Sequence, residues 1–375
     1  MKRHIGWIVA LVLLTGGAVL CIVRWNAWFS NPPEPTWEGK ALDIRFHTFG
    51  RDTVPGFRWN GTCWEDTVTK DTLRFVVLGD VHNNVDSVQW ENMAHRHTGI
   101  DFYAQLGDFM ERGYWYYAQS LFQELEGTPF ECLPLINCPG NHEYRKGVVR
   151  RLPDMWKTMF VHPDNGPKRF AGTTYFVDFP NLRFIVLDTN TLQKLSDYTV
   201  LCTWLKQVID GAAGRFTVVI MHHPVYSCGV GRQNTVVYAS LMHALQTADL
   251  VFAGHDHNYA RRLPFVDTNS AKKFYLHQLD DDFTRVGSGV QLYELLTLVG
   301  DTLTMETYLM DSGEKYDEVQ WIRHGYGRTI TDLGTRQEEI INLPDKYVGK
   351  NSRKVQSFQR RRAVRLSKDS TDNIQ

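Results

Sequence analysis

A regular alternation that begins near residue 73 constrains the fold of this chain more than any other feature. Apolar runs of strand length recur at Leu73 to Leu78, Ile100 to Leu106, Leu133 to Cys138, Leu182 to Leu187, Phe216 to Met221 and Leu250 to Ala253. Helix-length amphipathic stretches lie between several of them: Ser87 to His97, Trp115 to Leu125, Thr199 to Ile209 and Val236 to Leu245. Buried strands alternating with helices predict an α/β fold. Near the end, Val290 to Val299 and Thr302 to Leu309 flank Gly300-Asp301, which predicts an antiparallel hairpin.

The chain has 375 residues, enough for one large or two ordinary domains. Its formal net charge of -1 gives no global field that would draw nucleic acid, so no specific nucleic-acid partner is expected. Six cysteines without a CxxC pair fit neither a zinc knuckle nor a disulfide-dense scaffold. Cys132 and Cys138 therefore read as core cysteines before they read as a disulfide.

The chain divides into four stretches. Residues 1–30 read as a signal anchor or signal peptide: Lys2 and Arg3 precede an apolar run over residues 5–23, and Arg24 closes it. At about 1.5 Å per residue that run nearly spans a bilayer core, which favours an uncleaved anchor. The basic residues ahead of it keep the N-terminus inside. The rest is then membrane-anchored or secreted, outside the cytoplasm, and periplasmic if the source is bacterial. Residues 31–72 read as a linker, with Pro32, Pro33 and Pro35, followed by short N-terminal strands. Residues 73–312 hold the alternating pattern. Residues 313–375 read as a polar, basic extension carrying Arg360, Arg361, Arg362 and Arg365.

Five of the strand-like runs end in short polar motifs. They are Gly79-Asp80-Val81-His82, Gly107-Asp108, Gly140-Asn141-His142-Glu143, His222-His223-Pro224 and Gly254-His255-Asp256-His257. Ligands of α/β sheets gather outside the carboxyl ends of the strands, so these loops are expected to converge on one site. Carboxylate and imidazole without thiolate suit Zn, Mn or Fe. Residues two apart in extended chain point to one side, which would let Asp80 join His82 and let His255 and His257 reach one cluster.

In these motifs the chain resembles the calcineurin-like metallophosphoesterase superfamily, over roughly residues 73–310. The resemblance implies two mixed β-sheets packed face to face and flanked by helices. It implies two metal ions (Fe, Mn or Zn) and hydrolysis of a phosphomonoester or phosphodiester by a metal-activated hydroxide. By the same resemblance Asp80, His82 and His257 would bind the first ion. Asp108 would bridge, and Asn141, His222 and His255 would bind the second. His142 would be the proton donor to the leaving oxygen, and Glu143 an orienting group.

Gly107 to Gly113 is similar to the Gly-Asp-x-x-Asp-Arg-Gly motif of Ser/Thr protein phosphatases, with Glu111 for the second Asp. Arg112 would then hold the substrate phosphate bidentately. In purple acid phosphatases a Tyr ligand stands where Glu111 stands here, so an iron-tyrosinate chromophore is not expected. The implied partner is a phosphorylated small molecule or macromolecule, together with the membrane through residues 5–23. Two other functions fit the pattern less well. A non-catalytic binding protein on this fold should have lost ligands, and none is missing. A nuclease should show a basic groove, which the balanced charge does not suggest.

Overall fold

The computed structural model describes residues 45–50, 54–68, 71–145, 150–190, 195–325, 327–334 and 338–372. The apolar run at 5–23 lies outside them. No described helix is long and apolar enough to cross a membrane.

In chain order the strands are β1 (Phe57–Trp59), β2 (Trp64–Asp66), β3 (Thr72–Leu78), β4 (Phe102–Gln105), β5 (Leu135–Asn137), β6 (Tyr175–Asp178), β7 (Leu182–Leu187), β8 (Phe216–Met221), β9 (Leu250–Ala253), β10 (Tyr259–Arg262), β11 (Phe265–Asp267), β12 (Arg285–Gly287), β13 (Leu292–Val299), β14 (Thr302–Leu309), β15 (Lys315–His324) and β16 (Gly327–Asp332). The helices are α1 (Ser87–Arg96), α2 (Trp115–Leu125), α3 (Asp154–Met159), α4 (Leu195–Asp210), α5 (Thr235–Leu245) and α6 (Arg353–Asp372). One seven-stranded sheet has the order β12-β10-β11-β9-β8-β7-β6, the other β16-β15-β14-β13-β3-β4-β5. Both are mixed. β3, β4 and β5 run parallel, as do β7, β8 and β9, while β13 and β14 form the antiparallel hairpin.

The apolar runs are continuous because both faces of the central strands are buried. Successive side chains point to opposite faces. Phe75 and Val77 enter the core between the sheets, where they meet Phe184, Val186, Val218 and Ile220. Val76 and Leu78 point the other way, into a layer with Trp90 and Met93 of α1 and Leu121 of α2. On the second sheet Val219 and Met221 pack outward against Leu201 and Leu205 of α4 and Leu241 of α5. The result is helix, sheet, sheet, helix. Phe75 stacks on Phe102 with centroids 4.7 Å apart, and full burial of such a side chain stabilises by about 1.5–3 kcal/mol. Asp86 starts α1 by capping the Gln89 amide, and the Gln89 side chain returns the bond to the Asp86 amide.

The fold departs from expectation after residue 313. That stretch is no mere extension: β15 pairs with β14 and β16 with β15, which widens the sheet by two strands. Polar residues beside buried Val319 and Trp321, and a register shift next to buried Tyr316, mask the alternation. The basic end forms α6, which buries Val355 and Phe358. Cys132 is exposed rather than in the core, and both it and the buried Cys138 are free thiols.

Candidate metal centre

Parallel pairing puts the C-terminal ends of β3, β4 and β5 side by side in one sheet and those of β8 and β9 in the other. The sheets are tied at this end, where Asp80 bridges Asn269 and accepts a backbone bond from Ser270 of 3.1 Å. The loops leave the strands through sharp turns. Gly107 has φ +86°, and a Cβ there would sit 2.5 Å from the Gly140 nitrogen. Only glycine lets the β4 and β5 loops approach this closely.

The turns hold the candidate ligands in backbone conformations that L residues seldom adopt. Seven non-glycine residues have positive φ among the described residues, and four are His82 (51°), Asp108 (53°), His255 (70°) and His257 (50°). Such strain clusters at functional sites. It also corrects the expectation that extended chain aligns the Asp-x-His and His-x-His pairs. Left-handed turns redirect these side chains, and His255 and His257 diverge to different groups.

In the first group Asp80 Oδ1 lies 3.4 Å from His257 Nε2 and 3.7 Å from His82 Nε2, and the two ring nitrogens are 3.2 Å apart. In the second, His222 Nε2 lies 3.1 Å from Asn141 Oδ1 and 3.2 Å from His255 Nδ1. Asp108 Oδ2 faces both groups, 3.6 Å from His82 Nε2 and 3.4 Å from His222 Nε2. All seven residues singled out by the sequence therefore come together, with Asp108 between two clusters.

Other groups fix the orientation of each donor. His222 Nδ1 is 3.0 Å from the Leu106 carbonyl and His257 Nδ1 is 3.1 Å from the Lys273 carbonyl, so both rings present Nε2 inward. His82 Nδ1 sits 3.1 Å from Glu111 Oε2. Carboxylate or carbonyl partners of this kind set the tautomer and raise the basicity of a metal-binding histidine. Glu143 is fully buried and accepts from the backbone nitrogens of Asp108, Gly140 and Met110 at 2.8, 2.7 and 3.0 Å. It thereby fixes the β4 and β5 loops as an orienting group. Asp188 accepts from Tyr144 and Asn190 and stays structural.

The residues fit a hard or borderline cation. Asp80 Oδ2 accepts the His255 amide at 2.6 Å, whereas Oδ1 is buried with no hydrogen-bond donor and faces two ring nitrogens. A buried anionic oxygen without a donor is costly unless a cation meets it. Burial pushes both carboxyls toward the neutral form. The His257 ring at Asp80 and the His222 ring at Asp108 outweigh it and hold both below the usual carboxylate range. Burial, with Asp108 nearby, pushes Glu143 up to about 7. No thiol is among the donors, in keeping with Zn, Mn or Fe.

A cavity of about 510 Å³ opens over the cluster, lined by Asp108, Asn141, His142, His223, His255 and His257 on its floor. His142 Nδ1 is 2.6 Å from the Glu111 carbonyl, which leaves Nε2 for the cleft. Burial lowers the His142 pKa, and Asp108 works against it. His223 received less weight in the sequence than its neighbour, yet it also lines the cleft. Its backbone nitrogen donates to Thr189 Oγ1, and that hydroxyl lies 2.8 Å from His223 Nδ1. Burial, with His222 beside it, takes the ring down to about 3.

Arg112 does not stand where a phosphate clamp was expected. It is exposed and absent from the cleft lining, in a tight turn whose Tyr114 nitrogen donates to the Arg112 carbonyl at 2.8 Å. The guanidinium groups that do line the cleft are Arg150 and Arg232. Tyr226 packs on Phe265 and under Arg262, away from the cleft. Asp256 points away from its flanking histidines and accepts from Arg232 Nε at 2.9 Å.

The class this fold and cluster define is matched by sequence: the profile of the calcineurin-like phosphoesterases fits residues 73–259, and the chain belongs to that family. No curated protein matches the chain by sequence. Among solved structures it is similar to GAP50, described as the anchor in the inner membrane complex of Plasmodium. The two share 14% identity at a TM-score of 0.51, over 77% of this chain and 95% of that one. It is also similar to the purple acid phosphatase PPD1 from yellow lupin (Lupinus luteus) seeds, at 14% identity and a TM-score of 0.51. That match covers 69% of this chain and 56% of the lupin enzyme.

Proposed function

We propose that the protein hydrolyses phosphate esters with two metal ions, one held by Asp80, His82 and His257, the other by Asn141, His222 and His255, with Asp108 between them. The observation that carries this reading is Asp80 Oδ1, a buried oxygen without a donor that faces two inward ring nitrogens. When bound, such ions supply charge neutralisation at the phosphoryl oxygens and lower the pKa of water. The protein's own groups do the rest. His223 lines the cleft, and its ring donates to a phosphoryl oxygen above the cluster. His142, with Nδ1 tied to the Glu111 carbonyl, aims Nε2 at the leaving oxygen and gives it a proton. The negative charge of a bound phosphate favours the protonated ring. Glu143 keeps Asp108 and Asn141 in register through three backbone bonds.

The apolar run at 5–23, preceded by Lys2 and Arg3, supports tethering to a membrane with the catalytic domain outside the cytoplasm. The test of function is hydrolysis of p-nitrophenyl phosphate and bis-p-nitrophenyl phosphate by chelator-treated protein before and after addition of Zn, Mn or Fe. Turnover restored by metal is expected. Equal turnover with and without metal would overturn the reading.

A further inference from the structure

The cleft carries cations that the two-ion site does not use. Tyr275 lines it with its ring centroid 4.8 Å from that of His257. Three cations surround this one ring: Arg232 at 4.0 Å, Lys346 at 5.1 Å and Lys273 at 5.3 Å from the centroid. Arg232 is fixed, since Nε donates to Asp256 and Nη2 to the His255 carbonyl at 2.7 Å. Lys273, Lys346 and Arg150 have no carboxylate at ion-pair distance among the described residues. Arg150 stands among the cleft-lining residues with Arg232, and α5 begins at Thr235, whose first turn adds the positive end of its dipole. Cations gathered around one ring repel one another, so the arrangement favours an anion that settles among them.

We propose that a second anion subsite stands at the edge of the cleft beside the metal cluster, formed by Arg232, Lys273 and Lys346 around Tyr275, and that the substrate is a small molecule bearing a second phosphoryl group. The inference rests on the phosphoesterase reading for the first group. A cavity of about 510 Å³ suits a small molecule rather than a polymer. Lys346 comes from the segment after β16, so the C-terminal part of the chain helps to select substrate.

The test uses the full-length, metal-loaded protein. Calorimetry compares the affinity of methylenebisphosphonate with that of inorganic phosphate, in the wild type and in Lys273→Ala/Lys346→Ala, which changes two exposed side chains. The wild type is expected to favour the bisphosphonate at least tenfold, and the double variant to lose about five- to tenfold of that preference. Lys273→Arg/Lys346→Arg should keep it. A preference unchanged in the alanine variant would overturn the subsite. Turnover of no phosphate ester, with the lysine-dependent preference intact, would overturn the phosphoesterase reading and support the anion subsite. Turnover with no bisphosphonate preference would overturn the subsite alone.

Discussion

Glu111 stands where purple acid phosphatases carry a ligand tyrosine, and here it touches His82 instead. Its Oε2 is 3.1 Å from His82 Nδ1, and its backbone carbonyl independently takes His142 Nδ1 at 2.6 Å. Glu111→Ala removes the first contact and keeps the second, so it isolates the carboxylate's hold on one metal-facing ring. Loss of such a partner costs about 10–100-fold in metal affinity, or about 1.4–2.7 kcal/mol at 1.36 kcal/mol per decade. The Glu111 side chain is 42% exposed and therefore screened by solvent, which places the effect near the lower end, about tenfold. Glu111→Gln keeps an acceptor but not the charge, and should fall between alanine and wild type. Metal retained after dialysis against graded chelator, measured by atomic emission, reads the effect. Wild-type metal affinity in Glu111→Ala, or equal losses in the two variants, would show that the carboxylate does not hold the His82 ring.

Two further predictions concern the scaffold. Arg261 donates to Asp317 Oδ2 at 2.6 Å and Oδ1 at 3.1 Å and to Asp332 at 2.8 Å, deep between β10 and β15. Arg261→Met strands the fully buried Asp317 and should cost about 3–5 kcal/mol in urea unfolding. Arg261→Met with Asp317→Leu should cost less. His162 is buried with neither ring nitrogen hydrogen-bonded, it stacks on Tyr175 at 4.4 Å, and burial takes its pKa down to about 3. Unfolded chain binds a proton there near pH 6.5, so the native state holds fewer protons in the interval between. This contribution is complete above pH 6.5 and is lost as pH falls toward 3. His162→Phe should lessen the drop in the urea midpoint from pH 7 to pH 5, and an unchanged slope would contradict the assignment.

Much of this was legible from local pattern. The runs that became β3, β7, β8 and β9 are largely buried on both faces and so are mostly apolar, with Arg74, Arg183 and Thr217 near their starts. Gly300-Asp301 marks its hairpin because the turn demands a residue of positive φ. The polar motifs were visible because each follows a strand directly. What stayed hidden depends on distant chain. Arg232 meets His255 and Asp256 only through the packing of α5's leading loop against the β9 loop. Tyr275 receives Lys346 from 71 residues further on. Arg112 matched a motif, but its exposed position outside the cleft lining left no mark in residue type. β15 was masked by Glu318 and Gln320 beside its buried Val319 and Trp321, and by a register shift that leaves Tyr316 and Asp317 adjacent and both buried.

In the proposed site seven side chains hold two ions, and Asp108 joins them. Metal stoichiometry of the wild type and of Asp108→Asn, measured alongside turnover of p-nitrophenyl phosphate, tests this most directly. Two metals per chain in the wild type, with metal content lowered and turnover down at least a hundredfold in the variant, is the predicted result. Wild-type stoichiometry and turnover in Asp108→Asn would contradict it.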